Sequence, residues 1–243
     1  MEWIKNSRFL ITGGSSGIGL SIIKNIIKFN PSHIYTTGYK SKLIPKDIDN
    51  KNNILYKSFD FTSREVLLSK EFTSFIEESK PNYFVHSAGD VLKRSSFEAS
   101  DFDLYEKTMN LNFHSSHQII RILSKSNLIS ELKSSVFLSS ISARLPYSKD
   151  SLHYASSKAA LETFVRGISV EFPPSRFNCI APSAIATRFQ EKHSSKDRVN
   201  RIIDQTPLKR IGTTEDVTNL TLFLLSDLSS YITGSIYDLS GGR

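Results

Sequence analysis

A tyrosine and a lysine, Tyr154 and Lys158, stand four residues apart in the sequence YASSK. On a helix this separation places both side chains on one face. A free tyrosine has a pKa of about 10, and a neighbouring ammonium lowers that pKa because it stabilises the phenolate. The pair could therefore exchange a proton with a substrate oxygen near neutral pH. The same spacing also occurs on ordinary amphipathic helices, so the surrounding pattern has to decide.

A glycine-rich segment, residues 12–19 with the sequence TGGSSGIG, is the second candidate for chemistry. It lies between a short apolar run and a stretch with isoleucines at helical spacing. Glycines allow a tight turn and a close backbone approach, and the amides at a helix start attract a pyrophosphate. The segment therefore predicts a dinucleotide-binding turn, although such a turn by itself could be only a tight connection.

Alternating strand and helix patterns surround both candidates. Strands are predicted over residues 8–12, 33–37, 54–59, 83–86, 135–139, 176–180 and 235–239, and helices over residues 18–29, 64–80, 101–126, 151–171 and 214–225. This alternation predicts an α/β fold, a Rossmann-type doubly wound parallel sheet of about seven strands with helices on both faces. The length and the even composition favour a single domain over residues 1–243.

Residues 183–205 interrupt the alternation between the sixth strand and the last long helix. Ligands of open α/β sheets bind at the carboxyl ends of strands, so a substrate lid could form here. The segment carries Arg188, Lys192, His193, Lys196, Arg198 and Arg201, and Arg144 and Lys149 follow the fifth strand. A carboxylate, phosphate or acyl-carrier substrate would suit these side chains. The alternative is a solvated, mobile basic loop.

The composition limits the partners and the compartment. The formal charge is +7 and the pI is about 9.4, but the lysines are scattered, so no nucleic-acid partner is expected. No apolar run approaches the roughly 20 residues that cross a bilayer, and the first residues lack a signal-peptide core. The single cysteine, Cys179, fits a reducing compartment and is expected to be a buried, inert thiol. A cytoplasmic protein without a membrane partner is therefore expected.

The glycine-rich segment resembles the Thr-Gly-x3-Gly-Ile-Gly pattern of the short-chain dehydrogenase/reductase family, and the resemblance extends along nearly the whole chain. It is closest to the branch similar to 3-oxoacyl-(acyl-carrier-protein) reductase. The resemblance implies an NAD(P)-dependent enzyme that interconverts a ketone and a secondary alcohol by hydride transfer. NADPH-dependent reduction of a small-molecule carbonyl or of a 3-oxoacyl group, anionic or carrier-bound, is the more specific expectation.

The resemblance implies four catalytic residues, Tyr154, Lys158, Ser140 and Asn110. In the family the serine polarises the substrate carbonyl, and the asparagine of the long helix positions a water and the lysine. Ser139 and Ser142 are rivals for the serine position because they flank the end of the same strand. Asn112 is the alternative to Asn110.

The resemblance also implies which residues surround the nicotinamide cofactor. They are Gly13, Ser15, Ser16, Gly17, Ile18, Gly19, Thr37, Gly38, Tyr39, Lys40, Asp60, Phe61, Ala88, Gly89, Tyr154, Lys158, Pro182, Ile185 and Thr187. Three positions depart from the family pattern. His86 and Ser87 stand where the family has two asparagines, and Ser183 stands where it has a glycine.

The choice of cofactor depends on the end of the second strand. An acidic residue there would bind the ribose hydroxyls of NAD and repel the additional phosphate of NADP. Gly38 occupies the position where NAD-selective relatives carry an aspartate, and Lys40 could place an ammonium near that phosphate. NADP(H) is therefore expected to be preferred over NAD(H), although Tyr39 and Ser16 replace two basic residues that often contact the phosphate.

Two rival functions follow from the same residues. A cofactor-sensing or regulatory binding protein would be marked by a broken Ser-Tyr-Lys set, and here all three side chains are present. A zinc-dependent dehydrogenase would need more ligands than His114, His117 and Cys179 offer, so no metal is expected. The family resemblance also implies a homotetramer or a homodimer.

Overall fold

The structure contains seven strands, β1 (Arg8–Thr12), β2 (His33–Gly38), β3 (Ile54–Ser58), β4 (Tyr83–His86), β5 (Ser134–Leu138), β6 (Arg176–Pro182) and β7 (Ile236–Leu239). They form one parallel sheet in the order β3-β2-β1-β4-β5-β6-β7. The computed structural model describes residues 1–39, 53–144 and 150–243. The predicted fold class, an α/β protein with a doubly wound parallel sheet, is confirmed.

The central strands are covered on both faces, which explains their continuous apolar runs. Successive side chains of a strand point to opposite faces, so Phe9 and Ile11 pack into one layer of the core and Leu10 into the other. Every residue of β4 is buried. The sheet is therefore rigid where the glycine-rich segment leaves it.

Nine helices lie within the described ranges, α1 (Gly17–Ile26), α2 (Arg64–Leu68), α3 (Lys70–Ser79), α4 (Phe102–Met109), α5 (Ser115–Lys125), α6 (Leu152–Glu171), α7 (Arg188–His193), α8 (Lys196–Gln205) and α9 (Thr214–Leu225). α1 and α9 pack on one face of the sheet through residues such as Ile22 and Val217. α3, α5 and α6 pack on the other face through residues such as Phe72, Ile119 and Leu161. The two faces of the sheet thus each have their own helical layer.

Two predicted helices are interrupted. The helix predicted over residues 64–80 divides at Ser69, whose backbone is extended and whose hydroxyl accepts a hydrogen bond from the Phe72 amide at 3.1 Å. Serine caps a new helix in this way because its side chain replaces a missing backbone acceptor. The helix predicted over residues 101–126 contains a π-helical turn, Asn110–His114, between α4 and α5. Such turns occur frequently at functional sites.

The segment predicted as a lid forms two short helices. α7 and α8 follow the carboxyl end of β6, and the next long helix, α9, begins only at Thr214. The Thr213 hydroxyl and the Asp216 carboxylate cap α9 reciprocally. This cap ends the insertion and returns the chain to the helical layer.

Candidate active site

A cleft of about 900 Å³ opens at the carboxyl ends of the strands. The strand order reverses between β1 and β4, which is where open α/β sheets bind ligands. Most of the predicted site residues line it, namely Gly13, Ser15, Ser16, Gly17, Ile18, Thr37, Gly38, Tyr39, Asp60, Phe61, Ala88, Gly89, Ser140, Tyr154, Lys158, Pro182, Ile185 and Thr187. Gly19 and Asn110 do not line it, and Lys40 lies outside the described residues.

The glycine-rich turn is held tightly against the loop that follows β4. Gly13 has a φ of +70°, and a Cβ atom at this position would lie 2.8 Å from the Ala88 backbone nitrogen. The Gly14 amide donates a hydrogen bond to the Thr37 carbonyl at 2.9 Å. Only glycine fits the left-handed conformation and the close approach at Gly13. Gly19, which the sequence places in the cofactor site, is instead buried beneath the turn, where a Cβ would lie 2.4 Å from the Gly13 carbonyl oxygen.

The start of α1 faces Thr187, in the segment that follows β6. α1 begins at Gly17, and a Cβ at Gly17 would lie 3.7 Å from a methyl carbon of Thr187. Amides at the first turn of a helix favour an anion such as a pyrophosphate. Ser183 does not adopt a positive φ, so its replacement of the family glycine needs no strained backbone.

The end of β2 is crowded by two hydroxyl groups. A Cβ at Gly38 would lie 2.5 Å from the Tyr56 hydroxyl and 2.7 Å from the Ser15 hydroxyl. Tyr39 follows with its side chain 61% exposed. A side chain at this position, where NAD-selective proteins carry an aspartate, would therefore have to displace the Tyr56 and Ser15 hydroxyls.

Asp60 and Phe61 follow β3 and line the cleft, but their side chains have different surroundings. The Asp60 carboxylate accepts hydrogen bonds from the Thr62 amide at 2.9 Å and from the Thr62 hydroxyl at 2.6 Å. The Phe61 ring is buried and stands edge-on to Phe72, with ring centroids 5.5 Å apart. The Asp60 carboxylate is thus held in place by its own turn, and the Phe61 ring belongs to the core.

The structure distinguishes Ser140 from its rivals. The Ser139 hydroxyl donates to the buried Glu162 carboxylate at 2.7 Å. Ser140 begins the short 3-10 turn Ile141–Ala143 and accepts a hydrogen bond from the Ser142 amide at 3.2 Å. The Ser140 hydroxyl is also near enough to the Tyr154 phenol to act on its pKa. Of the three serines, Ser140 is the one whose hydroxyl meets the tyrosine.

Lys158 lies beside Tyr154 but is held by the end of β5. Its Nζ atom donates to the Leu138 carbonyl at 2.8 Å and lies 5.7 Å from the centroid of the Tyr154 ring. Both residues are on α6, and their separation of four residues puts them on one face as predicted. Gly89 makes this position accessible, because a Cβ there would lie 2.9 Å from Lys158 Nζ.

The pKa of Tyr154 differs from the expectation drawn from the spacing. Burial raises the pKa of Tyr154 to about 12, and the hydrogen bond from Ser140 only partly opposes this shift. Burial lowers the pKa of Lys158 to about 8. The direction of the Tyr154 pKa shift is therefore opposite to the one that the spacing predicts, because removing the phenolate from water outweighs the effects of Ser140 and Arg94. The buried phenol is held in its protonated form at neutral pH.

The two asparagines of the π-helical turn have different surroundings. The Asn110 amide nitrogen donates to the Thr62 carbonyl at 3.0 Å, and its oxygen lies 2.8 Å from His114 Nδ1. The Asn112 amide nitrogen donates to two backbone carbonyls, but its buried oxygen has no hydrogen-bond partner in the described part of the chain. A Cβ at Gly89 would lie 2.8 Å from this oxygen as well as 2.9 Å from Lys158 Nζ. The orphaned Asn112 oxygen therefore stands on the same side of Gly89 as the lysine.

His86 connects the sheet to the long helix where the family has an asparagine. Thr12 Oγ1 lies 3.0 Å from His86 Nδ1, and Ser115 Oγ lies 3.5 Å from His86 Nε2. The Thr12 hydroxyl also accepts a hydrogen bond from the Ala88 amide at 3.3 Å. Burial, and secondarily the charge of Lys158, lower the pKa of His86 to about 3. His86 is thus a neutral side chain on β4 that connects β1 with α5.

Several basic residues near the cleft are already paired with acids. Arg144 makes ion pairs with the buried Glu162 and with Asp238. Asp90 pairs with Lys192 at 2.7 Å and with His193 at 2.6 Å. Arg144 and Lys192 are therefore not available for an anionic ligand in the way the sequence suggests, and Lys149 lies outside the described residues.

Three of the charged residues of the cleft were not predicted as site residues. Asp90, Arg94 and Arg243 line the cleft, although they come from the loop after β4 and from residue 243. Asp90 directly follows the matched Ala88 and Gly89, so its position is a signal that sequence reasoning could have used. Arg94 and Arg243 follow no motif and are brought in by the fold alone.

The remaining candidate groups have structural roles. Cys179 is buried, as expected, and burial raises the pKa of its thiol. His117 packs against Phe113 and Phe164, with ring centroids 6.2 and 5.6 Å away. No group of three or more metal-binding side chains occurs within residues 1–39, 53–144 and 150–243. Over the same residues, none of the helices combines the length and the apolar character needed to span a bilayer.

Comparisons of the sequence and of the structure with known proteins identify the family. A family model described as Enoyl-(Acyl carrier protein) reductase matches residues 70–243. The chain is 29% identical to a tropinone reductase homolog of Arabidopsis thaliana, over 96% of this chain and 90% of the relative. It is 26% identical to the 3-oxoacyl-(acyl-carrier-protein) reductase of Chlamydia muridarum, over 98% of this chain and 97% of the relative.

The fold recurs in solved structures. The crystal structure of a levodione reductase superimposes with a TM-score of 0.85 and 20% sequence identity, and 98% of each chain is covered. This likeness shows the fold, which is the sheet and its helical layers. The family relationship rests on the match to the family model. The chain belongs to the short-chain dehydrogenase/reductase family and is an oxidoreductase that uses a nicotinamide cofactor.

Proposed function

We propose that the protein is an NADPH-dependent reductase that converts a ketone into a secondary alcohol. One observation carries this proposal. Ser140 acts on the Tyr154 phenol, Lys158 lies beside the same ring, and all three line the cleft that contains the glycine-rich turn. A screen of ketones in which the loss of NADPH absorbance is followed tests it. If NADPH binds but none of the ketones is reduced, the proposal is contradicted.

Each side chain has a separate part in the reaction. Ser140 and Tyr154 both line the cleft, where their hydroxyls would hold the ketone oxygen. Tyr154 donates the proton, since its raised pKa keeps the phenol protonated at neutral pH. Lys158, whose Nζ atom is held by the Leu138 carbonyl, keeps a positive charge near the alkoxide that forms on the substrate. The bound nicotinamide cofactor supplies the hydride, which no protein side chain can provide.

The residues around the glycine-rich turn fit a dinucleotide. The close approach of Gly13 to Ala88 and of Gly17 to Thr187 forms a cradle that side chains at these glycines would fill. Ser15, Ser16 and the first amides of α1 would hold the pyrophosphate. Ile185 and Thr187 would contact the nicotinamide amide, and Asp60 the adenine. All these residues line the same cleft.

We further propose that α7 and α8 act as the substrate lid. The ring of Phe189, on α7, lies 6.3 Å from the Tyr154 ring and 4.8 Å from the His193 ring, measured between centroids. His193 in turn contacts Asp90 from the loop after β4. A lid with this contact excludes water from the tyrosine, which strengthens its hydrogen bonds to the substrate.

Cofactor selectivity gives the first prediction. NADPH is expected to bind about tenfold or more tightly than NADH, because no carboxylate at the end of β2 repels the 2′-phosphate. Replacing Gly38 with Asp is expected to lower this preference about tenfold or more, since it adds a negative charge at that point. Fluorescence titration of each variant with NADPH and with NADH measures both dissociation constants.

The matched control is Gly38→Asn, which has nearly the size of aspartate without its charge. Both side chains would crowd the Tyr56 and Ser15 hydroxyls equally. For each variant we take the ratio of the dissociation constants for NADPH and NADH. Dividing the ratio of the Asp variant by that of the Asn variant therefore gives the effect of the carboxylate charge on selectivity. Equal ratios, or tighter binding of NADH by the unaltered protein, would refute NADPH selectivity.

Asn112 gives the second prediction. Its orphaned oxygen is placed to accept a hydrogen bond from Lys158, directly or through a water, and so to stabilise the ammonium. Activity is expected to fall as pH rises through the Lys158 pKa of about 8. Replacing Asn112 with Ala should move this fall toward lower pH by roughly one unit, because the ammonium loses an acceptor. The pH profile of kcat measures the shift.

Asn110→Ala is the comparison that separates the two asparagines. Asn110 bonds to Thr62 and His114, and its loss alters the π-helical turn without removing an acceptor near Lys158. We therefore expect no displacement of the alkaline limb in Asn110→Ala. A shift in that variant and none in Asn112→Ala would assign the role to Asn110, as the family pattern suggests.

A further inference from the structure

Besides Arg188 on α7, the cleft is lined by the arginines Arg94, Arg198, Arg201 and Arg243. They come from three separate parts of the chain, the loop after β4, helix α8 and residue 243. On α8 the residues Arg198, Arg201 and Gln205 follow each other at helical intervals, so they share the face that meets the cleft. The tertiary structure thus adds Arg94 and Arg243 to the basic side chains that the sequence places in the lid segment.

Two of these arginines are anchored to neighbouring elements. Arg94 donates through Nε to the His193 carbonyl at 2.9 Å and pairs through Nη1 with Asp150 at 2.9 Å. Arg243 donates to the Gln205 side-chain oxygen at 3.4 Å. The loop after β4 and residue 243 are thereby tied to the two lid helices. The cluster therefore has a defined geometry in which guanidinium groups can face one ligand.

Arg198 and Arg201 make no ion pair with any residue of the described ranges. Arg198 is nevertheless half-buried. Burial lowers the pKa of Arg198, and the nearby charges of Arg94, Arg243 and Arg201 lower it further, while Asp150 opposes the shift. Like charges held together in a cleft repel each other, and an anion between them would relieve that repulsion.

The cluster and the catalytic tyrosine face the same space. Arg94 is close enough to Tyr154 that its charge acts on the phenol. Asp90, which also lines the cleft, is bonded to Lys192 and His193, and Asp150 is paired with Arg94. A ligand that reaches both Tyr154 and the arginines therefore meets Arg198 and Arg201 without an acid paired to either of them in the described residues.

We propose that the substrate carries an oxyanion, a carboxylate or a phosphate, which Arg198 and Arg201 bind with Arg94 and Arg243 beside them, while its keto group meets Tyr154. This inference rests on the proposed reductase function for the ketone and adds the chemical class of the rest of the substrate. Arginine suits the role because its planar fork of N–H donors matches carboxylate and phosphate oxygens in bidentate pairs.

Anion binding tests the site without turnover. Glutarate and inorganic phosphate are titrated calorimetrically into the protein, alone and after saturation with NADPH, which occupies the phosphate-binding turn. At least one of the two anions is expected to bind in both conditions, and binding is expected to weaken about tenfold or more in the double variant Arg198→Gln, Arg201→Gln. The tighter anion shows whether the group is a carboxylate or a phosphate.

The matched control is Arg166→Gln, an exposed arginine on α6 that does not line the cleft. It should retain the affinity of the unaltered protein, since the net charge changes without a change at the cluster. Failure of both anions to bind, or equal affinity in the double variant, would overturn the proposal. Binding that NADPH abolishes would assign the anion to the glycine-rich turn and would also overturn it.

Kinetics connects the anion site to the ketone. Methyl ketones that end in a carboxylate are compared with their methyl esters, and hydroxyacetone phosphate with hydroxyacetone. The charged member of at least one pair is expected to have a kcat/KM at least tenfold higher, and the ratio should approach one in the double variant. If both members of every pair are turned over equally, the anion proposal fails while the reductase function stands. If the anions bind through the arginines but no ketone is reduced, the reductase proposal fails and the anion site stands.

Discussion

Replacing Tyr154 with Phe is expected to lower kcat for ketone reduction by about 100- to 10,000-fold, the range that a positioned general acid contributes. The substitution removes the proton donor, and it keeps the buried ring. The affinity for NADPH should change little, because the ring stays in the cofactor site and the glycine-rich turn is unaltered. Steady-state kinetics with the best ketone of the screen gives kcat, and fluorescence titration gives the affinity.

Tyr231→Phe is the control for the loss of a phenol, since its side chain is fully exposed and does not line the cleft. It should leave kcat and KM at the values of the unaltered protein. If Tyr154→Phe retains turnover within a few-fold while binding NADPH normally, Tyr154 is not the proton donor. A variant that loses NADPH binding as well would assign Tyr154 to the cofactor site rather than to proton transfer alone.

His86 is expected to make the protein less stable in acid. Its pKa is about 3 in the folded protein, against about 6.5 for an exposed histidine in the unfolded chain. Between these two values the unfolded chain binds a proton that the folded protein does not, so stability falls as pH falls through this window. From pH 7 to pH 5 the loss attributable to His86 is about 2 kcal/mol. Urea unfolding at several pH values measures it.

His86→Asn is the informative variant, because asparagine does not titrate and its amide can bond to the Thr12 and Ser115 hydroxyls. Its free energy of unfolding should decline less between pH 7 and pH 5, by about 2 kcal/mol, whatever the absolute stability at pH 7. His33→Asn, at an exposed position of β2, should keep the pH dependence of the unaltered protein. Parallel curves for the unaltered protein and His86→Asn would rule out a neutral, buried His86.

The sheet could be predicted because its signal is local. The runs at residues 8–12 and 83–86 coincide with β1 and β4, and the pattern over residues 214–225 coincides with α9. Apolar periodicity and turn residues decide such elements within a few positions of the chain. The break at Ser69 and the π-helical turn at Asn110–His114 were missed, since a capping serine and one additional residue in a turn leave the apolar pattern almost unaltered.

The residues of the candidate site likewise divide into those that a local pattern predicted and those that only the contacts of the folded chain reveal. Tyr154 and Lys158 were found because their spacing along one helix places them on a common face, and Gly13 because a turn after a strand needs it. The orphaned oxygen of Asn112 was not distinguishable from Asn110, since both lie on the same turn and only their contacts differ. Arg94 and Arg243 carried no sequence signal at all.

The amino-acid sequence by itself determined the parallel α/β sheet, the glycine-rich turn and the Tyr154–Lys158 pair, because these follow from residue types at short spacing. The tertiary structure alone decided which groups are removed from water and which distant side chains meet. It raised the pKa of Tyr154, lowered that of His86 and brought Arg94 and Arg243 to the lid. Burial and non-local charge are sums over the whole packed chain, so no local pattern contains them.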